Sequence, residues 1–410
     1  MAAPKHIVVF EHQKLLFNTN DKDDMLLYQT LMQYHSAYCP YFKLINKGVQ
    51  FCEFVGVIQV GSTLIEVLPK ADVQGETVWR SFLIQMIQQV YKFNVNHTSE
   101  AQLQLRKHSL LDVYFQLFVH EVEYLLHMGL IKRYKKVENN QTALKGRLVF
   151  SKHLNYNLVH KERFFVNHTQ YAVNHTVHQI LYKTLCLLQQ LNQSQSLKSK
   201  INALLLYFPE VDGITVTEAT FDRLVFDRKN AHYKKALQIA EMILLNYHPD
   251  VTKGKRNVLA LMFNMNRLWE QFIYTLLKKQ LPHFHVKSQL SKKFWQPSQG
   301  STATMKPDIV LTNQTTNETF VLDTKWKNLN GKNPSPDDLR QMYVYHNYYQ
   351  AVKTALVYPG LSSNRLGGTY VSIDNNDLSP YSCSVIQIAT ADTFKKWKEK
   401  IVDEVSNFIN

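Results

Sequence analysis

The chain has 410 residues, 45% of them hydrophobic and 20% charged, the composition of an ordinary globular protein with room for two or three cores. No apolar run approaches the length that crosses a bilayer, which excludes a helical membrane protein. The formal net charge is +14, and it is unevenly spread: residues 1–100 hold 8 Lys/Arg against 9 Asp/Glu, leaving 39 of the 47 basic and 24 of the 33 acidic residues to the remainder.

A basic later two-thirds suits a polyanion, most simply nucleic acid, whereas the neutral first quarter suits contact with protein. Cys39, Cys52, Cys186 and Cys383 are scattered, with no C-x-x-C pair for zinc or redox work, and are expected as reduced thiols. The start, MAAPKHIVVFEHQK, carries an early Glu and does not read as a signal peptide, so a cytoplasmic location is expected. The three NHT triplets, at Asn96, Asn167 and Asn174, are then chance matches to a glycosylation sequon.

In chain order, residues 1–70 read as short strands joined by turns: HIVVFE, QFCEFVGVIQVG and STLIEVLPK. Two stretches of helical periodicity follow, ETVWRSFLIQMIQQVYKF and SLLDVYFQLFVHEVEYLLHMG. IKRYKKVENNQTALKGRLVF reads as a basic hairpin with its turn at ENN and its second arm closed by KGR. From about Tyr171 the chain is helical through VHQILYKTLCLLQQL, LKSKINALLLYF and YKKALQIAEMILLNY, whose Leu, Met and Phe stripes are core. HPDVTKGKRN, residues 248–257, reads as a linker. Beyond it come the helix LMFNMNRLWEQFIYTLLKKQL, a hairpin, the helix SPDDLRQMYVYHNYYQAV, and the buried strands TALVYP and VIQIAT extending the hairpin's sheet. The expected organisation is mixed α/β and multidomain: an N-terminal β-rich domain with helices over 1–160, a helical linking region over 161–250 and a C-terminal α/β domain over 251–410.

The chemistry concentrates in KPDIVLTNQTTNETFVLDTKWK, Lys306 to Lys327. DIVLT and TFVLDTKW are strand-forming, and NQTTNE between them is turn material. A turn centred near Thr315 and Thr316 sets Asp308 opposite Asp323, at a separation where two like charges destabilise a sheet. A divalent cation with oxygen ligands fits best between them. Alternation places Lys325 on the face of Asp323 and turns Thr324 away. Glu270, on the preceding helix, can add a third metal-directed oxygen or be a partly exposed helical acid. After the hairpin, Ser335 or Asp337 stands at a helix N-cap, and Gln341 and Tyr345 lie four apart on one helical face, suited to hold a phosphate or a substrate backbone. GVIQVGST, from Gly56, lacks the Gly-Lys-Ser/Thr ending that grips nucleotide phosphates, so no nucleotide hydrolysis is expected of this chain. His283 and His285 lack a third ligand and read as structural. G-x-S-x-G and H-E-x-x-H are both absent.

Pro307-Asp308, Asp323-Thr324-Lys325, the helix acid Glu270 and Gln341-x-x-x-Tyr345 together resemble the PD-(D/E)xK nuclease core, the restriction-endonuclease-like α/β fold, in its RecB-like branch. More narrowly, MFNMNRLWE, KPDIVL, VLDTKWK and DLRQMYVYH, with VGVIQVGSTLIEVLPK and LKGRLVF upstream, resemble the McrC family, nuclease subunits of McrBC-type modification-dependent restriction systems. The second acid is Asp where that core more often has Glu, a permitted variant. The resemblance implies a Mg²⁺-dependent endodeoxyribonuclease for phage defence. Asp308 and Asp323 bind the metal with the Thr324 backbone carbonyl and Glu270 directly or through water, Lys325 acts at the phosphate, and Gln341 and Tyr345 position the strand. It also implies a McrB-like AAA+ GTPase ring as partner, docked through the N-terminal region and using the GTP itself. Double-stranded, methylcytosine-containing DNA is the implied substrate, with the modification read by the partner. The alternatives are the nuclease subunit of a sequence-specific motor-driven system, and a non-catalytic adaptor that activates an AAA+ motor.

Overall fold

A computed structural model describes residues 5–70, 75–90, 110–192, 194–248, 257–329, 331–372 and 377–409. Asn96 and most of the 248–257 linker lie outside the described residues. The chain forms two compact units, one of residues 1–110 and 248–410, the other of 111–247. This division differs from the expected three segments: the first quarter and the last 160 residues share one body, and the middle of the chain interrupts it.

The larger unit has two main sheets. In the first, β1 (His6–Phe10), β2 (Phe54–Val60), β3 (Thr63–Leu68) and β4 (Val258–Asn264) lie in the order β1-β3-β2-β4. β4 pairs antiparallel with β2 from Val258↔Val60 to Asn264↔Phe54. Both strands are near-continuous apolar runs, FVGVIQV and VLALMFN, as strands covered on both faces must be. That pairing, between segments nearly two hundred residues apart, is why the boundary expected at 250/251 does not divide the fold. Gly56 sits at φ +140°, and a Cβ there would meet the Leu261 carbonyl oxygen at 2.1 Å, so only glycine allows β2 and β4 to approach. Between β1 and β2 runs a helix that the strand reading of residues 1–70 missed, α1 (Lys22–Tyr38). Asp21 caps it by accepting from the Asp23 N–H, and Leu27, Leu31 and Tyr34 bury its inner face.

The second sheet runs β5-β8-β9-β10-β12-β11. Its strands are β5 (Phe284–Ser288), β8 (Ile309–Asn313), β9 (Thr319–Thr324), β10 (Ala351–Gly360), β11 (Asn364–Val371) and β12 (Leu378–Ala389). β6 (Lys292–Trp295) and β7 (Ala303–Met305) form a separate two-stranded ribbon between β5 and β8. β9 and β10 are parallel, joined by the helix α4 (Pro336–Tyr349), and β12 continues parallel to β10. The two late apolar runs therefore extend the hairpin's sheet as expected. Two further helices close the unit, α3 (Met265–Gln280) and α5 (Phe394–Ile409), with α2 (Glu76–Val90) from the N-terminal quarter packed on α3. Their shared core is aromatic. Trp79 and Phe82 of α2 and Trp269 and Phe272 of α3 all meet Trp397 of α5; Phe82 and Phe272 also meet Phe394, and Trp79 and Trp269 meet Trp326 just beyond β9. The Trp269–Trp326 and Trp79–Trp326 ring centroids are 5.3 and 5.8 Å apart. Rings at these distances add attraction beyond their buried area.

In the smaller unit, helices 176–191, 195–207 and 234–245 follow the expected periodicities, as does helix 110–128, whose first residue still belongs to the larger unit. The basic hairpin expected there does not form. Glu138, Asn139 and Asn140 lie inside the strand Arg133–Gln141, which pairs with the strand Phe164–Ala172, and Arg147–Leu148 pairs on that strand's other side. ENN reads locally as a turn, but a non-local partner holds it extended. Among the described residues no helix is long and apolar enough to cross a membrane.

Candidate active site

The β8–β9 ribbon delivers the two aspartates. Ile309 pairs with Leu322 and Val310 with Val321, so one step further along the register Asp308 faces Asp323. The Asn313 side chain accepts from the Thr315 and Thr316 N–H groups, centring the turn where its sequence predicts. Asp308 is clamped by the next residue of β9: its Oδ2 accepts from the Thr324 N–H at 2.7 Å and from Thr324 Oγ1 at 2.9 Å. Thr324 is therefore not turned away from the site; its hydroxyl fixes the first acid.

Asp323 is 2% exposed. Its Oδ2 lies 2.6 Å from Lys325 Nζ, which also stands 3.8 Å from Asp338 Oδ1. The acid and the base meet on one face, as the alternation requires. Asp338, in the first turn of α4 and held by Lys327 Nζ at 2.9 Å, gives Lys325 a second anionic neighbour that sequence reasoning passed over. Ser335, not Asp337, is the N-cap, accepting from the Asp338 N–H.

Gln341 and Tyr345 come together as expected but face inward. Gln341 Nε2 donates to the Tyr345 hydroxyl at 2.6 Å and reaches Asp323 Oδ1 at 3.4 Å. Tyr345 is buried, so the pair braces Asp323 and does not present a phenol to a ligand. Glu270 lies on the wall of the same cleft, its Oε1 accepting from Gln289 Nε2 at 2.7 Å. It does not close a third corner: among the described residues no group of three or more His, Cys, Asp and Glu stands together as a metal cage. The cleft, about 640 Å³, is also lined by Arg267, Lys306, Asp308, Thr324 and Lys325.

The acids around this site are held above the ordinary carboxylate range. Burial, and after it the Asp308 carboxylate, push Asp323 up to about 6; Lys325 opposes the rise without reversing it. Asp308 is raised by burial and by Glu270, and Glu270 by burial and by Asp323. Burial opposes the charge on Lys325, but Asp323 and Asp338 outweigh it and hold the ammonium above its ordinary pKa. Glu270 and Asp308 line the cleft while Asp323 is buried beside Lys325, and a hard cation would relieve all three. Two carboxylates suit Mg²⁺, which keeps several waters and takes few protein ligands. The residues present fit that ion with Asp308 and Asp323 as holders.

The strand's far end is tied to the N-terminal quarter. Trp326, next to Lys325, donates its indole N–H to Glu11 Oε1 at 2.7 Å, and that oxygen also accepts from the Lys70 N–H at 2.8 Å. The Trp326 N–H donates to Asn266 Oδ1 at 3.3 Å. Nothing in the local sequence around Glu11 signals this link, which depends on a strand three hundred residues away.

Residues 49–359 match the protein family described as McrBC 5-methylcytosine restriction system component. The chain is also similar in fold to a chain of a refined half-complex from a tetradecameric assembly of Thermococcus gammatolerans McrB AAA+ hexamers with bound McrC. The TM-score is 0.71 at 19% identity, over 98% of this chain and 100% of that one. A second likeness, to a chain of the Thermococcus gammatolerans McrBC complex, has a TM-score of 0.51 at 18% identity and covers 68% of this chain and 88% of that one. At these identities the likeness is one of fold. The comparison with curated proteins gave no match.

Proposed function

Because the chain belongs to the family of McrBC 5-methylcytosine restriction system components, we propose that it is the DNA-cleaving subunit of a GTP-dependent restriction complex. Its substrate is methylcytosine-containing duplex DNA, and its reaction is Mg²⁺-dependent phosphodiester hydrolysis. The observation that carries the reading is the convergence of Asp308, Asp323 and Lys325 at the base of one ribbon, with the ammonium 2.6 Å from the buried carboxylate. In this reading Asp308 and Asp323 hold the ion, with the Thr324 carbonyl as a further oxygen and Glu270 joining through water. Bound there, Mg²⁺ supplies Lewis acidity, polarising the scissile phosphate and acidifying water.

The chain's own residues do the rest. Thr324 fixes one acid and Gln341 braces the other, so neither has to reorganise when the substrate arrives. Lys325, kept charged between Asp323 and Asp338, neutralises charge developing on the phosphate. Arg267 and Lys306 on the cleft wall attract the DNA backbone. The partner is a McrB-like AAA+ GTPase ring, engaged through the N-terminal region, which binds and hydrolyses the GTP and reads the modification. The neutral charge of the first hundred residues and the fold likeness to a chain from a McrB–McrC assembly support that partner.

The test is cleavage of methylated duplex DNA with the partner, GTP and Mg²⁺. Asp308→Ala and Lys325→Ala abolish cutting and leave stimulation of the partner's GTPase intact. A variant of either kind that still cuts places the chemistry elsewhere.

A further inference from the structure

The β6–β7 ribbon belongs to neither main sheet, yet both of its feet stand in the cleft wall. Gln289, three residues before β6, lines the cleft and holds Glu270; Lys306, the residue after β7, lines it too and leads through Pro307 into Asp308. From Lys287 to Lys306 the sequence has four lysines and no acid, and its tip is the polar run QPSQGST. One side of the ribbon is anchored. Lys292 Nζ donates to the Tyr348 carbonyl of α4 at 2.6 Å and lies 4.8 Å from the Tyr349 ring centroid. The Phe294 ring meets Tyr348 at 5.5 Å. A bulge between Lys293 and Trp295 takes Phe294 out of the ladder and re-aims the residues beside it. Lys293 and Trp295 are left exposed, the indole at 61%.

Single exposed apolar side chains are ordinary. This indole is different in its setting. It is one of five tryptophans, the other four being buried in the aromatic core described above, and it stands on an acid-free lysine ribbon rooted beside the candidate catalytic acids. We propose that the β6–β7 ribbon is a DNA-contacting arm that grips the duplex where it leaves the cleft. In that arm Lys293 sits on a phosphate and Trp295 packs its ring on the nucleic acid. The inference rests on the reading of this cleft as a DNA-cleavage site and adds a second point of hold, one that positions the duplex against Asp308 without touching the scissile bond. Anchoring through Lys292 and Phe294 makes the arm stiff, so a grip by Trp295 and Lys293 costs little ordering on binding.

Trp295 carries its own probe, since it is the one tryptophan open to a solvent quencher. In full-length Asp308→Ala protein, which keeps DNA intact, acrylamide quenches an accessible fraction of the emission, and Trp295→Phe in the same background removes that fraction. Adding unlabelled duplex DNA at low salt shields it. In the cleaving protein, Trp295→Ala weakens duplex binding about tenfold, the scale of truncating one aromatic anchor at an interface. Lys293→Ala lowers the salt dependence of binding by about one ion. Both raise KM and leave kcat at the wild-type value. DNA that binds while Trp295 stays as accessible as before overturns the arm and leaves the cleavage reading standing. Shielding by the motor partner alone, without DNA, overturns it as well. If the unaltered chain, with its partner, neither binds nor cuts duplex DNA, the cleavage reading and the arm fall together.

Discussion

Two buried carboxylates of the larger unit, Glu66 in the first sheet and Asp323 in the second, are almost equally shielded from water and opposite in character. Glu66 is 0% exposed and saturated with donors. Arg80 lies 2.7 Å from its Oε2 and His6 3.2 Å, and the Leu110 N–H donates to Oε1 at 2.6 Å. Burial alone raises its pKa, but His6, the Leu110 N–H and Arg80 more than reverse that and hold it low. Asp323 has one close cation and an acid for its neighbour across the ribbon, and it rises to about 6. A buried charge that exists for the fold is neutralised within the fold. At Asp323 the balance within the fold is incomplete, which is what marks it as a candidate for function.

The sharpest way to break that contrast is to neutralise each acid. Asp323→Asn abolishes cleavage, a loss of about a thousandfold or more in rate if it removes a main electrostatic element of the site. It leaves the metal-free thermal midpoint unchanged or higher, because a like-charge pair is relieved. Mg²⁺ at about a hundred times its Kd stabilises the wild type by about 2.7 kcal/mol and this variant by much less, read as a shift in the melting curve. Glu66→Gln does the reverse: it costs about 3 kcal/mol in denaturant unfolding by leaving Arg80 without its anion, and Mg²⁺ still binds. Equal destabilisation by the two variants would erase the distinction drawn above.

A third buried group sharpens it by being neutral. In the smaller unit His178 is fully buried, its Nδ1–H donating to the Val173 carbonyl at 2.6 Å. Its Nε2 accepts from the Tyr233 hydroxyl at 3.1 Å, and that oxygen in turn accepts from the Ile131 N–H. Burial, reinforced by the nearby His175, pushes its pKa down to about 4 from 6.5. Because the folded value lies below the unfolded one, its contribution is whole above about pH 6.5 and is lost as pH falls toward 4, about 3 kcal/mol in all. Unfolding of this unit between pH 7 and pH 4.5 should show that loss, and His178→Gln should flatten it.

The smallest effects are expected at Gln341 and Tyr345, the first of which braces Asp323 from 3.4 Å. Gln341→Ala lowers Mg²⁺ affinity or turnover about tenfold, the ordinary scale for a residue that orients a ligand-holding group. Tyr345→Phe, which keeps the buried ring, loses less. A larger drop for Tyr345→Phe would mean that the phenol meets the substrate.

Much of the second sheet was readable because its signals are local. The polar turn NQTTNE fixes the register, and register alone sets Asp308 against Asp323; the runs TALVYP and VIQIAT are apolar enough to be strands wherever they lie. Asp338 escaped notice because an acid in a helix's first turn already has a sufficient reason to be there. Thr324 escaped because alternation assigns it the other face, while the bond from its N–H draws Asp308 across. The α1 helix was missed because Thr30, Gln33 and Tyr34 blur its apolar stripe, and the hairpin at 133–148 was expected because its true partner strand comes later in the chain. The pairing of β4 with β2 has no local signature at all: two apolar runs announce burial, and only the assembled sheet states which edges meet.

That pairing has a bearing on how the protein is made. β2 leaves the ribosome early, with an apolar edge that only β4 covers, and β4 follows after the entire 111–247 unit has been synthesised. At ordinary elongation rates this sheet stands open for on the order of ten seconds, a bare template for stray strands. Lys325 is translated after β4, and its neighbour Trp326 is anchored by Glu11 only once segments some three hundred residues apart have met, so the candidate active site is among the last parts of this unit to be assembled.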